Sequence, residues 1–268
     1  MTDENNEWFN LKEINDGIWN ISDKTGVNSY LIEGKRESLL IDTGWGLGNL
    51  AELVQSLTPL PIKVVLTHGH PDHVNGAYQF PDLYITPEDM KLLNTFYIKD
   101  TRQGIIENFK AITPSNFSKD DWINAKITKT SPIKDDNVFD LGERKLKVIK
   151  CPGHTPGSIC LLDKKDEILF SGDSILARPV LMNLETSLPL STYLKSIKHV
   201  NNYSANFSTI LSGHDEKPVN TIVIEELIKG VSNILEGRIE GKLEKTRFGE
   251  ALVCKFNNTA IIYNEDNL

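Results

Sequence analysis

The stretch Thr67-His68-Gly69-His70-Pro71-Asp72-His73 constrains this chain more than any other. Three histidines and an aspartate fall within six residues, directly after the apolar run Ile62-Lys63-Val64-Val65-Leu66. Imidazole nitrogens and a carboxylate at this density read as the mouth of a metal site. Zinc suits such donors best, with manganese or iron next. His68 and His70 lie two apart, so on an extended loop their rings can point to one side. Asp72 and His73 are adjacent and start the next element. A single ion cannot easily take all four groups from so short a loop. Two ions can, one with His68 and His70 and the other with Asp72 and His73. The competing reading is a polar turn in which Asp72 only caps a helix, worth about 1 kcal/mol. Four ligand-type residues so close together weigh against it.

A chain of 268 residues can bury a sizeable core without disulfides, and one domain over residues 1–268 is expected. The net charge of −8 argues against a broad nucleic-acid surface. No apolar run approaches the length of a membrane span. The acidic start Met1-Thr2-Asp3-Glu4-Asn5-Asn6-Glu7 lacks the basic and apolar regions of a secretory signal. The three cysteines, Cys151, Cys160 and Cys254, cannot all pair and do not form a disulfide framework. A cytoplasmic protein acting on a small-molecule substrate is therefore expected, without a nucleic-acid or membrane partner; a homo-oligomer is left open.

Alternating and apolar runs place strands at 18–21, 29–32 and 38–42, the last closing on Asp42-Thr43-Gly44. Leu50, Leu53, Val54 and Leu57 make one helical stripe, ended by Pro59 and Pro61, before the strand at 62–66. That order is a βαβ-like unit. Residues 87–130 read as a mainly helical insertion carrying Phe96, Tyr97, Phe109, Phe117 and Trp122. It could arch over the site as a lid or pack its aromatics into a side core. Strands resume at 145–149, 159–162, 167–170 and 208–212, with helices around 190–197 and 224–235 and two closing strands at 251–256 and 259–263. The runs Leu39 to Gly44 and Ile168 to Asp173 share a pattern of apolar strand, acid and glycine, which hints at two similar βα halves.

Three further candidates sit beside glycine at strand ends: His154 in Cys151-Pro152-Gly153-His154, Asp173 in Ser171-Gly172-Asp173, and His214 in Ser212-Gly213-His214. Loops at strand ends gather on one edge of a sheet, where α/β proteins build sites. Each alone would be an ordinary loop residue. In order, Asp42, His68-x-His70-x-Asp72-His73, His154, Asp173 and His214 resemble the metallo-beta-lactamase superfamily over residues 18–215. The resemblance implies an α/β protein, a four-layer αβ/βα sandwich of two mixed sheets flanked by helices. It also implies two divalent ions, with zinc foremost and iron or manganese as alternatives. His68, His70 and His154 would hold one; Asp72, His73 and His214 the other; Asp173 would bridge them. Two such ions bring about +4, two aspartates −2 and a bridging hydroxide −1, so the site keeps about +1. That charge suits water activation and an anionic tetrahedral intermediate.

Asp42 is expected to hydrogen-bond a metal-binding imidazole or fix its own turn rather than bind metal. Asp72 is expected to serve as ligand and as proton acceptor during turnover. His199 reads as a surface histidine, Cys151 as a buried strand-end thiol, and Arg178 and Lys195 as cations for an anionic substrate or for solvent. Aspartate rather than cysteine at 173 resembles glyoxalase II and lactonases, and His70 departs from the glutamate of flavodiiron reductases. The leading expectation is hydrolysis of a small ester, thioester or lactone. A mononuclear iron persulfide dioxygenase, a phosphodiesterase and a non-catalytic metal-retaining binding module are the alternatives.

Overall fold

In the computed structural model, which describes residues 8–109 and 112–268, the chain forms two units. The first runs to Ile133 and takes in Phe139–Lys145; the second holds Lys134–Val138 and Leu146–Leu268. The stretch Met1–Glu7, on which the signal-peptide argument rests, lies outside the described residues.

The first unit begins with a meander, β1 (Phe9–Asn15), β2 (Ile18–Asp23), β3 (Asn28–Glu33) and β4 (Ser38–Ile41). Every side chain of β4 is buried, as a run without polar alternation requires. Helix α1 (Leu50–Leu57) starts where the Asn49 side chain accepts from the Glu52 N–H, and it buries Leu50, Leu53 and Val54. These pack with Leu31, Leu40, Val64 and Leu83. β5 (Ile62–Val65) returns parallel to β4, with Ile41 opposite Val65. The two strands end side by side, so the Asp42 turn and the histidine loop leave from the same end. After α2 (Pro71–Val74) come β6 (Leu83–Ile85), α3 (Met90–Thr95), α4 (Lys99–Glu107), α5 (Lys119–Asn124) and β7 (Thr130–Pro132). The sheet has seven strands in chain order, antiparallel from β1 to β4 and parallel from β4 to β7.

Residues 87–130 hold α3 to α5, and Phe109, Phe117 and Trp122 from this segment join a side core. Phe109 and Trp122 are buried with Trp8, Leu47, Ile106 and Ile123, and Trp45, Tyr78 and Phe117 pack on them. Trp122 Nε1 donates to the Trp45 carbonyl at 3.0 Å. The Tyr97 hydroxyl donates to the Val74 carbonyl at 2.8 Å.

Next in the chain come β8 (Val138–Asp140), of which Phe139 and Asp140 belong to the first unit, and then, mainly in the second unit, β9 (Lys145–Lys150), β10 (Ile159–Asp163), β11 (Ile168–Gly172), β12 (Pro179–Met182), α6 (Leu190–Asn201), β13 (Thr209–Ser212), α7 (Ile222–Leu235), β14 (Lys242–Thr246), β15 (Gly249–Lys255) and β16 (Ala260–Tyr263). These strands form two sheets, β13-β11-β10-β9-β8 and β12-β16-β15-β14. Helices α6 and α7 supply Leu190, Tyr193, Ile197, Leu227 and Val231 to a core shared with Ile149, Leu162 and Ile261. Both units thus set helices on mixed sheets, the α/β class that the sequence implies. They also repeat one device. β11 lies parallel to β13, so Asp173 and His214 follow neighbouring parallel strands, just as Asp42 and His68 follow β4 and β5.

Burial pushes the Tyr97 phenol up from its usual 10.0 to about 12, with the Arg102 guanidinium acting against it. The folded chain therefore holds this proton more tightly than the unfolded chain does. Its contribution to stability is intact below pH 10.0 and is lost as pH rises from there to about 12. Urea unfolding followed across that range should show the decline. Tyr97→Phe should flatten part of it and lower stability at neutral pH by about 1 kcal/mol.

Candidate functional site

Asp42 adopts a left-handed backbone, φ 60°, a conformation that a short polar side chain tolerates better than most. Three bonds hold it there. Its carboxylate accepts the Thr67 N–H at 2.7 Å, the Thr67 hydroxyl at 2.7 Å and His73 Nδ1 at 2.8 Å. Asp42 is the acceptor in all three bonds, which places the His73 proton on Nδ1. The same logic reaches His68. The Thr67 hydroxyl hydrogen is spent on Asp42, so the hydroxyl oxygen accepts from His68 Nδ1 at 3.1 Å. In both neutral rings Nε2 then bears the lone pair that a metal needs.

The loop geometry follows from Pro71. His70 is extended, and Pro71 opens α2 at the position where a missing N–H costs nothing. His68 and His70 therefore precede the helix, and Asp72 and His73 lie on its single turn. The His68 and His70 rings meet edge to face at 4.8 Å, and His68 lies 4.1 Å from His73 between ring centroids. The Asp72 carboxylate stands 3.8 Å from His73 Nε2 and is 22% exposed, whereas His73 is wholly buried. The backbone locks this loop to the Asp42 turn: the Thr43 N–H and hydroxyl both donate to the His73 carbonyl, at 2.8 and 2.9 Å. A Cβ at Gly76 would sit 2.2 Å from the Thr43 carbonyl oxygen, so the close approach requires glycine.

In the second unit His154, Asp173 and His214 come together. His154 Nδ1 donates to the Leu181 carbonyl at 2.8 Å, which again leaves the lone pair on Nε2. That nitrogen lies 3.6 Å from Asp173 Oδ2, and His214 Nε2 lies 3.2 Å from the same oxygen. Asp215 fixes the loop behind His214, accepting the Ser212 hydroxyl at 2.7 Å and the Ala177 N–H at 3.0 Å. Arg178 faces Asp215 at 3.7 Å and is half exposed. Lys195 is exposed. His199 pairs with Asp135 at 3.2 Å, partly exposed as its surface reading requires. Cys151 is a buried thiol in the apolar core.

His68 and His73 in the first unit and His154 in the second thus have one ring nitrogen anchored to an oxygen, and each unit adds at least one carboxylate. This nitrogen-rich, tautomer-fixed donor set fits a borderline divalent ion such as zinc, not a hard cation that wants an oxygen cage.

Sequence reasoning gave no role to Thr67, Asp89, Arg102 or Asp23, and named Tyr97 only among the aromatics of 87–130. Thr67 had a signal, since it opens the histidine motif itself. Asp89 is fully buried and accepts the Gly69 N–H at 2.8 Å. Asp23 accepts from Thr25 and Val27. Burial raises its carboxyl above the usual value against those bonds, and the Asp72 charge adds to the rise.

The sequence profile of the Metallo-beta-lactamase superfamily matches residues 22–198; the chain belongs to this superfamily. Human acyl-coenzyme A thioesterase MBLAC2 is 32% identical over 187 residues, which cover 63% of this chain and 67% of that protein. An atrochrysone carboxyl ACP thioesterase of Cryptosporiopsis sp. (strain 8999), dmxR1, is 26% identical over 237 residues, 86% of this chain and 57% of its own length. The chain spans between about half and two thirds of the length of these relatives. Among solved structures, the metallo-beta-lactamase FIM-1 from Pseudomonas aeruginosa in its mono-zinc form aligns with TM-score 0.60 at 16% identity. The alignment covers 84% of this chain and 96% of that one, a likeness of fold. The αβ/βα fold implied by the motif order is therefore present.

In the metal-free protein, nitrogen NMR shifts should report Nδ1-protonated rings for His68, His73 and His154. Asp42→Asn should loosen the preference at His73 and His68 and leave His154 unchanged. Asparagine tolerates the left-handed backbone, so the turn itself should survive.

Proposed function

We propose that this protein is a metal-dependent thioesterase that hydrolyses small acyl thioesters such as an acyl-coenzyme A. In this reading two zinc ions are bound, one by His68, His70 and His154 and the other by Asp72, His73 and His214, with Asp173 between them. One observation carries it: His154 and His214 both direct Nε2 at a single oxygen of Asp173, the arrangement a bridging carboxylate needs. Within the ester, thioester or lactone class, the thioesterase names of two relatives support the choice of a thioester.

When bound, the ions would polarise the thioester carbonyl and bring a water towards hydroxide at neutral pH. The chain's own residues do the rest. Asp42 and the Leu181 carbonyl keep the imidazoles in one tautomer and one orientation, so no reorganisation accompanies turnover. Asp72, the most exposed of the first unit's carboxylates at the loop, can take a proton on its outer oxygen. Arg178 offers a half-exposed guanidinium to an anionic substrate group such as a phosphate.

Protein purified without chelators should carry about two equivalents of zinc. It should hydrolyse thioesters faster than bis-p-nitrophenyl phosphate. Less than one equivalent, or bound iron with oxygen uptake and no thioester cleavage, would overturn the reading. Asp72→Ala should lower kcat about 10²–10⁴-fold with an unchanged melting temperature of the apoprotein; a wild-type kcat would remove Asp72 from its role.

A further inference from the structure

The histidine loop is held from inside by Asp42 and from outside by the 87–130 insertion, at two separate points. The first is Asp89. It occupies the residue before α3, where an aspartate ordinarily caps its own helix, but no such side-chain cap forms. Its fully buried carboxylate instead accepts the Gly69 N–H at 2.8 Å, between His68 and His70. The fit is close: a Cβ at Gly69 would meet the Asp89 carbonyl oxygen and Leu92 Cβ at 3.0 Å each.

The second point is Arg102 on α4, a fully buried guanidinium. It lies over Trp122 at 3.8 Å and Tyr97 at 4.4 Å. Nε donates to the Trp122 carbonyl at 2.7 Å, and the other two nitrogens reach Asn75, at 3.3 Å to its amide oxygen and 3.4 Å to its carbonyl. Burial pulls this guanidinium below its usual range, against Tyr97 and Tyr78. Asn75 is the C-terminal cap of α2, the turn that bears Asp72 and His73. A helix end needs partners for its last carbonyls and favours a cation. Arg102 and the Tyr97 hydroxyl meet both needs.

We propose that the insertion braces the metal loop, with Asp89 and Arg102 as positioning residues for two different ions. Asp89 sets the His68 and His70 half; Arg102 sets the Asp72 and His73 half. This rests on the two-ion reading above. Neither residue touches an ion, so each acts only through the backbone it holds.

The test measures zinc affinity by competition with a chromophoric chelator, and stoichiometry by native mass spectrometry, on the full chain. Asp72→Ala isolates the first site and His70→Ala the second. In the Asp72→Ala background, Asp89→Ala should weaken zinc about 10–100-fold, the usual effect of losing such an outer partner, and Arg102→Met should change it less than about threefold. In the His70→Ala background the order should reverse. Apoprotein circular dichroism checks folding; should either variant unfold, Asp89→Asn and Arg102→Lys provide the same comparison. A wild-type chain that takes up no zinc overturns the two-ion reading and this inference together. A wild type with two ions whose affinities fall equally, or not at all, in both variants overturns the inference alone.

Discussion

The Asp42 carboxylate is the constraint on which the first unit's functional loop depends. It sits at the end of a fully buried strand, in a backbone conformation that costs energy for any residue but glycine. Three short bonds offset that cost, and each also orders something else. One fixes the start of the histidine loop, one orients His68 through the Thr67 hydroxyl, and one orients His73 directly. A charged acceptor buried among donors is strong because no water competes for it. The strain of the turn and the order of the loop are therefore one arrangement seen from two ends.

Much of this was legible in the chain. The histidine motif announces itself by density, and β4, α1 and β5 follow from an apolar run, a four-residue stripe and a pair of prolines. What stayed hidden has physical reasons. β12 opens on Pro179, a residue that strands admit only at their first position or edge. β14 is an edge strand whose Leu243 is 67% exposed, so no alternation marks it. The burial of Asp89 and Arg102 stayed hidden because it depends on partners that lie 20 and 27 residues away in sequence. Local pattern cannot see such distances. The candidate site residues could be named from the sequence, since glycine or proline neighbours mark each of their loops.

The 87–130 segment ties itself to its surroundings through a few side chains. Its helices are short and weakly patterned, and α4 carries more polar than apolar residues. It is held by Trp122, Arg102 and Tyr97, three side chains that each combine ring or guanidinium packing with a bond to main-chain oxygen. Such contacts order backbone on both sides at once.

The parallel pairing of β4 with β5, and of β11 with β13, works as a ruler. Adjacent strands stand roughly 4.8 Å apart whatever their sequence, so an acid and a histidine loop that leave neighbouring strand ends start from a separation set by the hydrogen-bond ladder. Length can vary freely in the connections that return the chain from one strand to the next. Connections as different in length as the helical crossover after Asp42 and the longer excursion after Asp173 can therefore serve the same spacing.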